Sequence, residues 1–168
     1  MVSMKDIAKA CGVSVATVSK ALSGQPDIGE QTRELICRTA DSLGYMTDTG
    51  VVTDAAWEAL SGVHLLALES NHDARMLQMG PYPYVIKQRI ASNSGHLSND
   101  QAAAELGTLV AESRAAGKRL PQTVVAMHVS QNNNDYSLAR RTLEAALGDA
   151  GCYAETLCGY QARLTTAR

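Results

Sequence analysis

Residues 6–24, DIAKACGVSVATVSKALSG, decide the fold of the first part of this chain. Apolar residues in helical spacing stop at Gly12, and Ser14 is a favourable N-cap for a second helix from Val15 to about Leu22. After a Ser-Gly-Gln-Pro turn, a third helix runs from about Glu30 and ends at Gly44. We expect its buried face to hold Leu35, Ile36, Thr39, Ala40 and Leu43. This layout is that of a DNA-binding helix-turn-helix, although a generic three-helix bundle has the same spacing.

The exposed face of the second helix favours the DNA interpretation. A helix that enters the major groove needs short side chains near its start, hydroxyls for phosphates and one long donor for a guanine edge. Here Val15 and Ala16 are the short side chains, and Lys20 is the long donor. Phosphate contacts are available to Ser14, Thr17, Ser19, Lys9 and Arg33, although a solvated helix face would explain Lys9 equally well.

The stretch MKDIAKACGVSVATVSKALSGQPDIGEQTRELICRTADSLGY, residues 4–45, closely resembles the headpiece of LacI-type bacterial repressors. The resemblance implies that Val15, Ala16 and Lys20 read base edges. It assigns phosphate contacts or helix caps to Thr17, Ser19 and Thr32, and a small core to Ala8, Val13, Val18, Ala21, Leu22, Ile28 and Leu43. Such repressors continue with a hinge helix and a large regulatory domain. Residues 46–168 resemble neither, so we expect no small-molecule effector.

Composition limits the cellular setting of the chain. The formal net charge is −2, so any electrostatic footprint for nucleic acid must be local. The four cysteines contain no C-x-x-C pair, which favours a reducing compartment over a disulfide framework. No run is apolar enough to span a bilayer, and the N-terminus lacks the apolar region of a signal peptide. We therefore expect a cytoplasmic protein with no membrane partner.

Residues 46–168 alternate between strand and helix patterns, as in an α/β layer. We expect helices at residues 54–60, 85–91, 99–115 and 136–150, and strands at 63–68, at 123–127 and in the tail. His72, His96 and His128 each stand at an element boundary, as caps or turn residues or as part of a metal or phosphate site. The pattern predicts that His64 is a structural residue within a strand. Asp48, considered without any family resemblance, is predicted to be a turn residue.

Five motifs in this half carry a second resemblance: TDTG (47–50), LLALESNHD (65–73), GPYPY (80–84), GHLSN (95–99) and VVAMHVSQNNN (124–134). They look like the C-terminal half of a metallo-β-lactamase-fold phosphodiesterase of the bacterial exonuclease-like branch. The resemblance implies that Asp48 bridges two metal ions and that His128 is a further ligand. It also implies that His96 contacts the phosphate or donates a proton, and that Glu69 supports catalysis without binding the metal itself. His72 has no firm assignment.

This half departs from that family in its metal motif. The family builds its metal site mainly from H-x-H-x-D-H and another histidine, and none of the four histidines here has that spacing. Asp48 and His128 are too few for a dinuclear centre, so we expect an incomplete site, no cofactor and no activity. Zinc or manganese would bind only if another chain completed the site. The family's second sheet is also absent, which leaves an apolar sheet face for a second copy of the chain.

These observations predict an α+β protein. A three-helix helix-turn-helix bundle occupies residues 1–46, and the α/β half of a metallo-β-lactamase αββα sandwich occupies residues 47–168. The expected function is sequence-specific binding of double-stranded DNA. The alternative is a metal-dependent phosphodiesterase or nuclease fragment that is active only when another chain completes it. A third interpretation is that two coding sequences were joined between Tyr45 and Thr47 without a linker.

Overall fold

The structure is a computed structural model that describes residues 4–23, 25–41 and 43–160, without the side chains of residues 4–6 and 41. Helices and strands are mixed, which confirms the predicted α+β class. The helices are α1 (Met4–Cys11), α2 (Val15–Leu22), α3 (Glu30–Asp41), α4 (Asp54–Leu60), α5 (Ala74–Met79), α6 (Tyr84–Ile90), α7 (Asn99–Ala115) and α8 (Tyr136–Asp149). The strands are β1 (Leu43–Met46), β2 (Leu65–Glu69), β3 (Thr123–Met127) and β4 (Glu155–Cys158).

Helices α1 to α3 form the predicted helix-turn-helix around a small apolar core. Gly12 follows α1 with a φ of +66°, a left-handed conformation that favours glycine. Ser14 caps α2, because its Oγ accepts a hydrogen bond from the Thr17 backbone N–H at 3.0 Å. The buried core residues are Ile7, Ala8, Val18, Ala21 and Ile36, and Cys11, Val13, Ile28 and Ala40 pack around them.

Three leucines predicted for this core lie elsewhere. Leu22 and Leu35 are 46% and 49% exposed. The prediction was right for their neighbours Ala21 and Ile36, which face the three-helix core, but wrong for Leu22 and Leu35, which lie next to them on the exposed side. Leu43 is not part of α3, which ends at Asp41, and it begins strand β1.

Gly44 shows why the chain changes from helix to strand at this point. The sequence predicts that this glycine ends α3, but it lies buried in the middle of β1. A Cβ atom at residue 44 would be 2.8 Å from Leu60 Cδ2 and 3.2 Å from Val63 Cγ1. A side chain at residue 44 would therefore make Leu60 or Val63 shift, and glycine allows α4 and the segment after it to lie this close to β1 without such a shift.

The four strands are all parallel and follow the order β1-β2-β3-β4. One face of the sheet, which includes Leu66, Leu68, Val124 and Ala126, packs against α4, α7 and α8. The main core lies in this layer, and its largest fully buried apolar side chains are Leu66, Leu97, Leu106, Val110, Val124, Leu143 and Leu147.

The opposite face of the sheet is more covered than the sequence predicts. Tyr45, Ala67, Val125 and Leu157 form one row across this face. Ala67 and Val125 are buried, and Tyr45 and Leu157 are half-buried. The expectation of a wide open apolar surface is therefore not met on this face.

The remaining elements agree closely with the prediction. The bounds of α4, α7 and β3 are the predicted ones, those of α6, α8 and β2 shift by one or two residues, and α5 was not predicted. Ser98 and Gln101 form a reciprocal capping box at the start of α7. Within the described ranges, none of the helices has the length and apolar character needed to cross a bilayer.

Candidate functional site

The polar ends of three strands meet at one edge of the sheet. Asp48 lies two residues after β1, Glu69 is the last residue of β2, and His128 directly follows β3. His96 reaches the same place from the loop before α7. Because the carboxyl ends of parallel strands share one edge of a sheet, residues far apart in the sequence converge there.

Glu69 is at the centre of this cluster and is fully buried. Its Oε1 accepts hydrogen bonds from Nδ1 of His96 at 2.9 Å and from Nδ1 of His128 at 2.8 Å. Its Oε2 accepts a hydrogen bond from the Thr49 backbone N–H at 2.8 Å. A buried carboxylate requires such partners, and these three bonds fix both imidazoles and the loop that carries Asp48.

The hydrogen bonds to Glu69 leave the outer ring nitrogens of both histidines available. Where an imidazole donates from Nδ1 to a carboxylate, a neutral ring keeps its lone pair on Nε2. Asp48 adds a carboxylate whose Oδ1 lies 3.4 Å from Nδ1 of His128. Potential ligand atoms of Asp48, His96 and His128 all lie within 4.8 Å of one another.

This donor set fits a single divalent cation. One carboxylate and two imidazoles suit zinc, manganese or iron, and three is the usual number of protein ligands at a catalytic zinc site. The family resemblance implies that Asp48 and His128 are ligands and that His96 contacts the phosphate or donates a proton, and the structure places His96 where it can be a third ligand. The GHLSN motif marked His96 as a site residue, and the shared contact with Glu69 shows that its ring is held like that of His128.

The backbone at this site adopts unusual conformations. Asp48 and His128 have φ values of +57° and +55°, a region that residues with side chains rarely occupy. A Cβ atom at Gly50 would collide with the carbonyl oxygen of Ser92, and one at Gly95 would collide with that of Arg89. The glycines of the TDTG and GHLSN motifs therefore allow the two site loops to pack against their neighbours without intervening side chains.

A buried polar network supports the cluster from behind. Ser70 Oγ donates to Asn99 Oδ1 at 2.7 Å, and Asn134 Nδ2 donates to the backbone carbonyls of Ser70 and Asn71 at 3.0 Å. Asn71 Nδ2 donates to the carbonyl of His128 at 2.8 Å. The network connects the segment after β2 to the start of α7 and to the loop that carries His128. It therefore restrains the site loops relative to the sheet.

The other two histidines lie outside this cluster. His72 is buried, and its Nδ1 has no hydrogen-bond partner among the described residues. Burial lowers the pKa of His72, because an apolar environment disfavours the charged imidazolium. His64 is exposed and lies before β2, so its predicted place within a strand is wrong.

The predicted DNA-reading residues form an accessible row on α2. Val15 is 38% exposed, and Ala16, Ser19 and Lys20 are exposed beside it. Ser14 and Thr17 lie at the start of the helix, with their hydroxyls 2.8 Å apart. The predicted contacts on α3, Thr32 and Arg33, are half-buried, and Nη2 of Arg33 donates to the Gln25 carbonyl.

One contact on this surface was not foreseen. Nζ of Lys20 lies 2.5 Å from Oδ2 of Asp27, and both side chains are about half exposed. The hydrogen bond and the charge of Lys20 lower the pKa of the Asp27 carboxyl. The residue predicted to contact a base is thus paired with a carboxylate from the following turn.

Comparison with known proteins separates the same two regions. The family described as "Bacterial regulatory proteins, lacI family" matches residues 3–48. The HTH-type transcriptional regulator MalR of Staphylococcus xylosus is 45% identical over 53 residues, which are 32% of this chain and 16% of MalR.

The larger part of the chain matches proteins of another kind. Exodeoxyribonuclease YycJ of Bacillus anthracis is 35% identical over 109 residues, which are 65% of this chain and 39% of YycJ. Exodeoxyribonuclease WalJ of Streptococcus pneumoniae has the same identity over 109 residues and is covered to 38%. The match thus spans about two fifths of the length of these relatives. Residues 3–48 are thus similar to the helix-turn-helix domain of LacI-family regulators, and a longer region of the chain is similar to the exodeoxyribonucleases YycJ and WalJ.

Proposed function

We propose that the chain binds double-stranded DNA in a sequence-specific manner through α2. The observation that carries this proposal is an exposed row of side chains on α2, whose start is capped by Ser14. We call this row, formed by Val15, Ala16, Ser19 and Lys20, the reading row. Short side chains at the start of the helix allow its backbone to approach base edges, and Lys20 can donate to the O6 and N7 acceptors of guanine. The hydroxyls of Ser14, Thr17 and Ser19 suit phosphate oxygens.

Duplex binding requires Lys20 to exchange partners. In the free protein its ammonium group contacts Asp27, so a guanine edge must replace that carboxylate. The exchange is feasible because an exposed ion pair is worth only about 0–1 kcal/mol. Lys9 is exposed on α1 and carries charge without contributing to the reading row, so it provides a control for electrostatic attraction alone.

Selection from a random duplex pool, followed by fluorescence anisotropy on the selected site, tests this proposal. We expect Lys20→Ala to relax discrimination at one base position by about 1–3 kcal/mol. Lys9→Ala should weaken binding about equally on all sequences and reduce the salt slope by about 1. Selection of no preferred sequence, or equal behaviour of the two variants, would contradict sequence-specific reading by α2.

We infer a second candidate function from the cluster around Glu69, namely the binding of one divalent cation by Asp48, His96 and His128. Both imidazoles are oriented by one buried carboxylate, which is the usual second partner of metal-binding histidines. A bound zinc ion polarises phosphoryl oxygens and lowers the pKa of a bound water. The H-x-H-x-D-H motif is absent from this sequence, so we propose phosphodiester hydrolysis only when another chain supplies further ligands.

Metal analysis after equilibration with zinc and gel filtration tests the cation site directly. In contrast to the expectation from the sequence, which counted only Asp48 and His128, we expect about one zinc per chain because His96 is a third potential ligand, with loss of binding in His96→Ala and in His128→Ala. His64→Ala is the matched control, because His64 is exposed and lies outside the cluster. Equal zinc content in all variants, or none in the unmodified protein, would refute this proposal without affecting the proposal for DNA.

A second copy of the chain is the remaining partner that we propose, because two helix-turn-helix modules read two half-sites of a palindrome. In the row of Tyr45, Ala67, Val125 and Leu157, the half-buried Tyr45 and Leu157 leave a small apolar surface on the sheet for such a contact. Sedimentation equilibrium tests whether the chain forms a dimer through this surface. A dimer whose mass falls to that of one chain in Leu157→Lys supports this interface, and a monomer at all concentrations contradicts it.

A further inference from the structure

Helices α5 and α6 carry an exposed apolar surface that the functions proposed above do not use. Met79, Tyr84 and Val85 are 79%, 74% and 73% exposed. Helix α6, with the sequence YVIKQRI, has no buried residue. A helix this short gains little stability in water unless it packs an apolar face against another element. The surface is therefore a candidate contact for another molecule.

A groove of about 440 Å³ lies between the two helices. Nζ of Lys87 on α6 donates to the carbonyl of Gln78 on α5 at 2.7 Å, so Lys87 connects the two sides. Leu77 is buried and Tyr84 is exposed, which makes the groove apolar inside and open at its rim. We call this feature the α5–α6 groove and define it by Ala74, Leu77, Gln78, Tyr84, Lys87 and Gln88, which line it.

The charged side chains of the segment that forms the groove are all positive. Residues 74–91 contain Arg75, Lys87 and Arg89 and no acidic residue, although the whole chain has a net charge of −2. Among the described residues, none of these three cations forms a salt bridge with a carboxylate. The carboxylate just before the segment, Asp73, is engaged as the N-cap of α5. An occupant of complementary charge is therefore acidic.

We propose that the α5–α6 groove binds an acidic amphipathic helix of a partner protein. In this mode of recognition a peptide helix places apolar anchors, spaced i, i+3, i+4 and i+7, into an apolar groove. The anchors pack on Leu77 and Tyr84, and carboxylates at the edge of the peptide pair with Lys87. An extended peptide is disfavoured, because two helices offer no free strand edge. The proposal is independent of duplex reading by α2 and of the cation site.

The same surface is poorly suited to three other occupants. In a symmetric contact with a second copy, three cations would face three others. Unpaired nucleobases stack on aromatic rings, whereas Met79, Val85 and Ile86, which are also exposed on these helices, are not aromatic. A flat lipid surface contacts the rim of a groove and leaves its interior empty.

Phage display against the full chain tests the proposal. The library presents random peptides of about 16 residues, long enough for a helix, and is counter-selected on Tyr84→Ala. We expect the enriched peptides to be acidic, with apolar residues spaced i, i+3, i+4 and i+7. Circular dichroism should show that a synthetic copy gains helix when it binds. Enrichment of no peptide, or of neutral or basic peptides, overturns the proposal.

Fluorescence anisotropy with the fluorescein-labelled selected peptide measures the contribution of single residues. We expect Tyr84→Ala to weaken binding by about 5- to 30-fold, because it removes apolar contact area. Lys87→Glu should weaken it by at least about fivefold, since like charges then face each other. The matched controls are Tyr153→Ala and Arg119→Glu, which change exposed residues outside the groove and should leave binding unchanged.

The remaining outcomes would assign the surface to another occupant. The proposal is overturned if Tyr84→Ala binds the peptide as Tyr153→Ala does. It is also overturned if a thymidine oligonucleotide or phosphatidylserine-containing vesicles bind through Tyr84 while the peptide does not. A fall of sedimentation mass in Tyr84→Ala would identify a contact between copies of the chain, with the same consequence. Duplex binding should be the same in Tyr84→Ala as in the unmodified protein, which separates this surface from α2.

Discussion

The helix-turn-helix and the sheet region differ in how far apart in the sequence their candidate functional residues lie. The first has a core of five buried side chains among the described residues, and its proposed reading row lies on one short helix. The second has seventeen buried core residues among those described, and its polar cluster joins residues 48, 69, 96 and 128. Local structure is therefore sufficient to present the reading row, whereas the cluster exists only if the whole sheet is assembled.

The largest effect that we predict tests whether the two regions fold separately. Ile36 is fully buried in the helix-turn-helix and Leu143 in the sheet region, so Ile36→Ala and Leu143→Ala should each cost about 2–5 kcal/mol. Trp57, the only tryptophan, packs against the sheet core and reports on that region alone. We expect its fluorescence transition to shift to lower denaturant in Leu143→Ala and to stay unchanged in Ile36→Ala. A shift of equal size in both variants would show that the regions unfold as one unit.

An intermediate effect is expected at the junction between the regions. Gly44→Ala places a Cβ atom 2.8 Å from Leu60 Cδ2, and such overpacking costs about 1–3 kcal/mol. Gly107→Ala is the control, because a Cβ atom there meets nothing within 4 Å and alanine is favoured in α7 by about 1 kcal/mol. Urea unfolding followed at Trp57 should move in opposite directions for the two variants. If Gly44→Ala had no effect on this transition, residue 44 would not belong to the sheet region.

The smallest predicted effect concerns the reading row and rests on the DNA binding proposed above. Asp27→Asn removes the carboxylate that pairs with Lys20, so the affinity for duplex DNA should rise by about two- to fivefold. Glu34→Gln removes one negative charge from the neighbouring α3 without freeing Lys20 and controls for net charge. Anisotropy titrations at one fixed salt concentration compare the two variants. A gain of the same size in both would mean that the Lys20–Asp27 pair does not restrain DNA reading.

Local patterns predicted most of the elements but not the junction. Capping by Ser14 and Ser98 and the periodicity around Val18 depend on neighbours within a few residues, so the bounds of α2 and α7 were predicted correctly. Gly44 was misassigned because a glycine after a helix has the same local signature as a glycine in a tightly packed strand. Only the contacts of residue 44 with Leu60 and Val63, which are distant in sequence, distinguish the two.

The candidate site was likewise predicted only in part from the sequence. The resemblance of the TDTG and MHVS motifs identified Asp48 and His128 as candidate ligands from the sequence. The same resemblance placed His96 at this site as a phosphate contact or proton donor, with Glu69 in support. It did not predict His96 as a third potential ligand, because the position of its ring depends on a hydrogen bond to Glu69, which is 27 residues away in the chain. The Lys20–Asp27 pair was missed for a related reason, since it forms across the turn between α2 and α3.

The sequence by itself determined the helix periods and caps, the residue types on the exposed face of α2, and the histidine and acidic residues of the motifs in the second half. These features follow from spacing along the chain, which sets helical faces and capping hydrogen bonds directly. Only the tertiary structure decided that Leu43–Met46 joins the sheet and that both imidazoles share one buried carboxylate. Strand pairing and burial depend on segments that are distant in the sequence, so no local pattern contains that information.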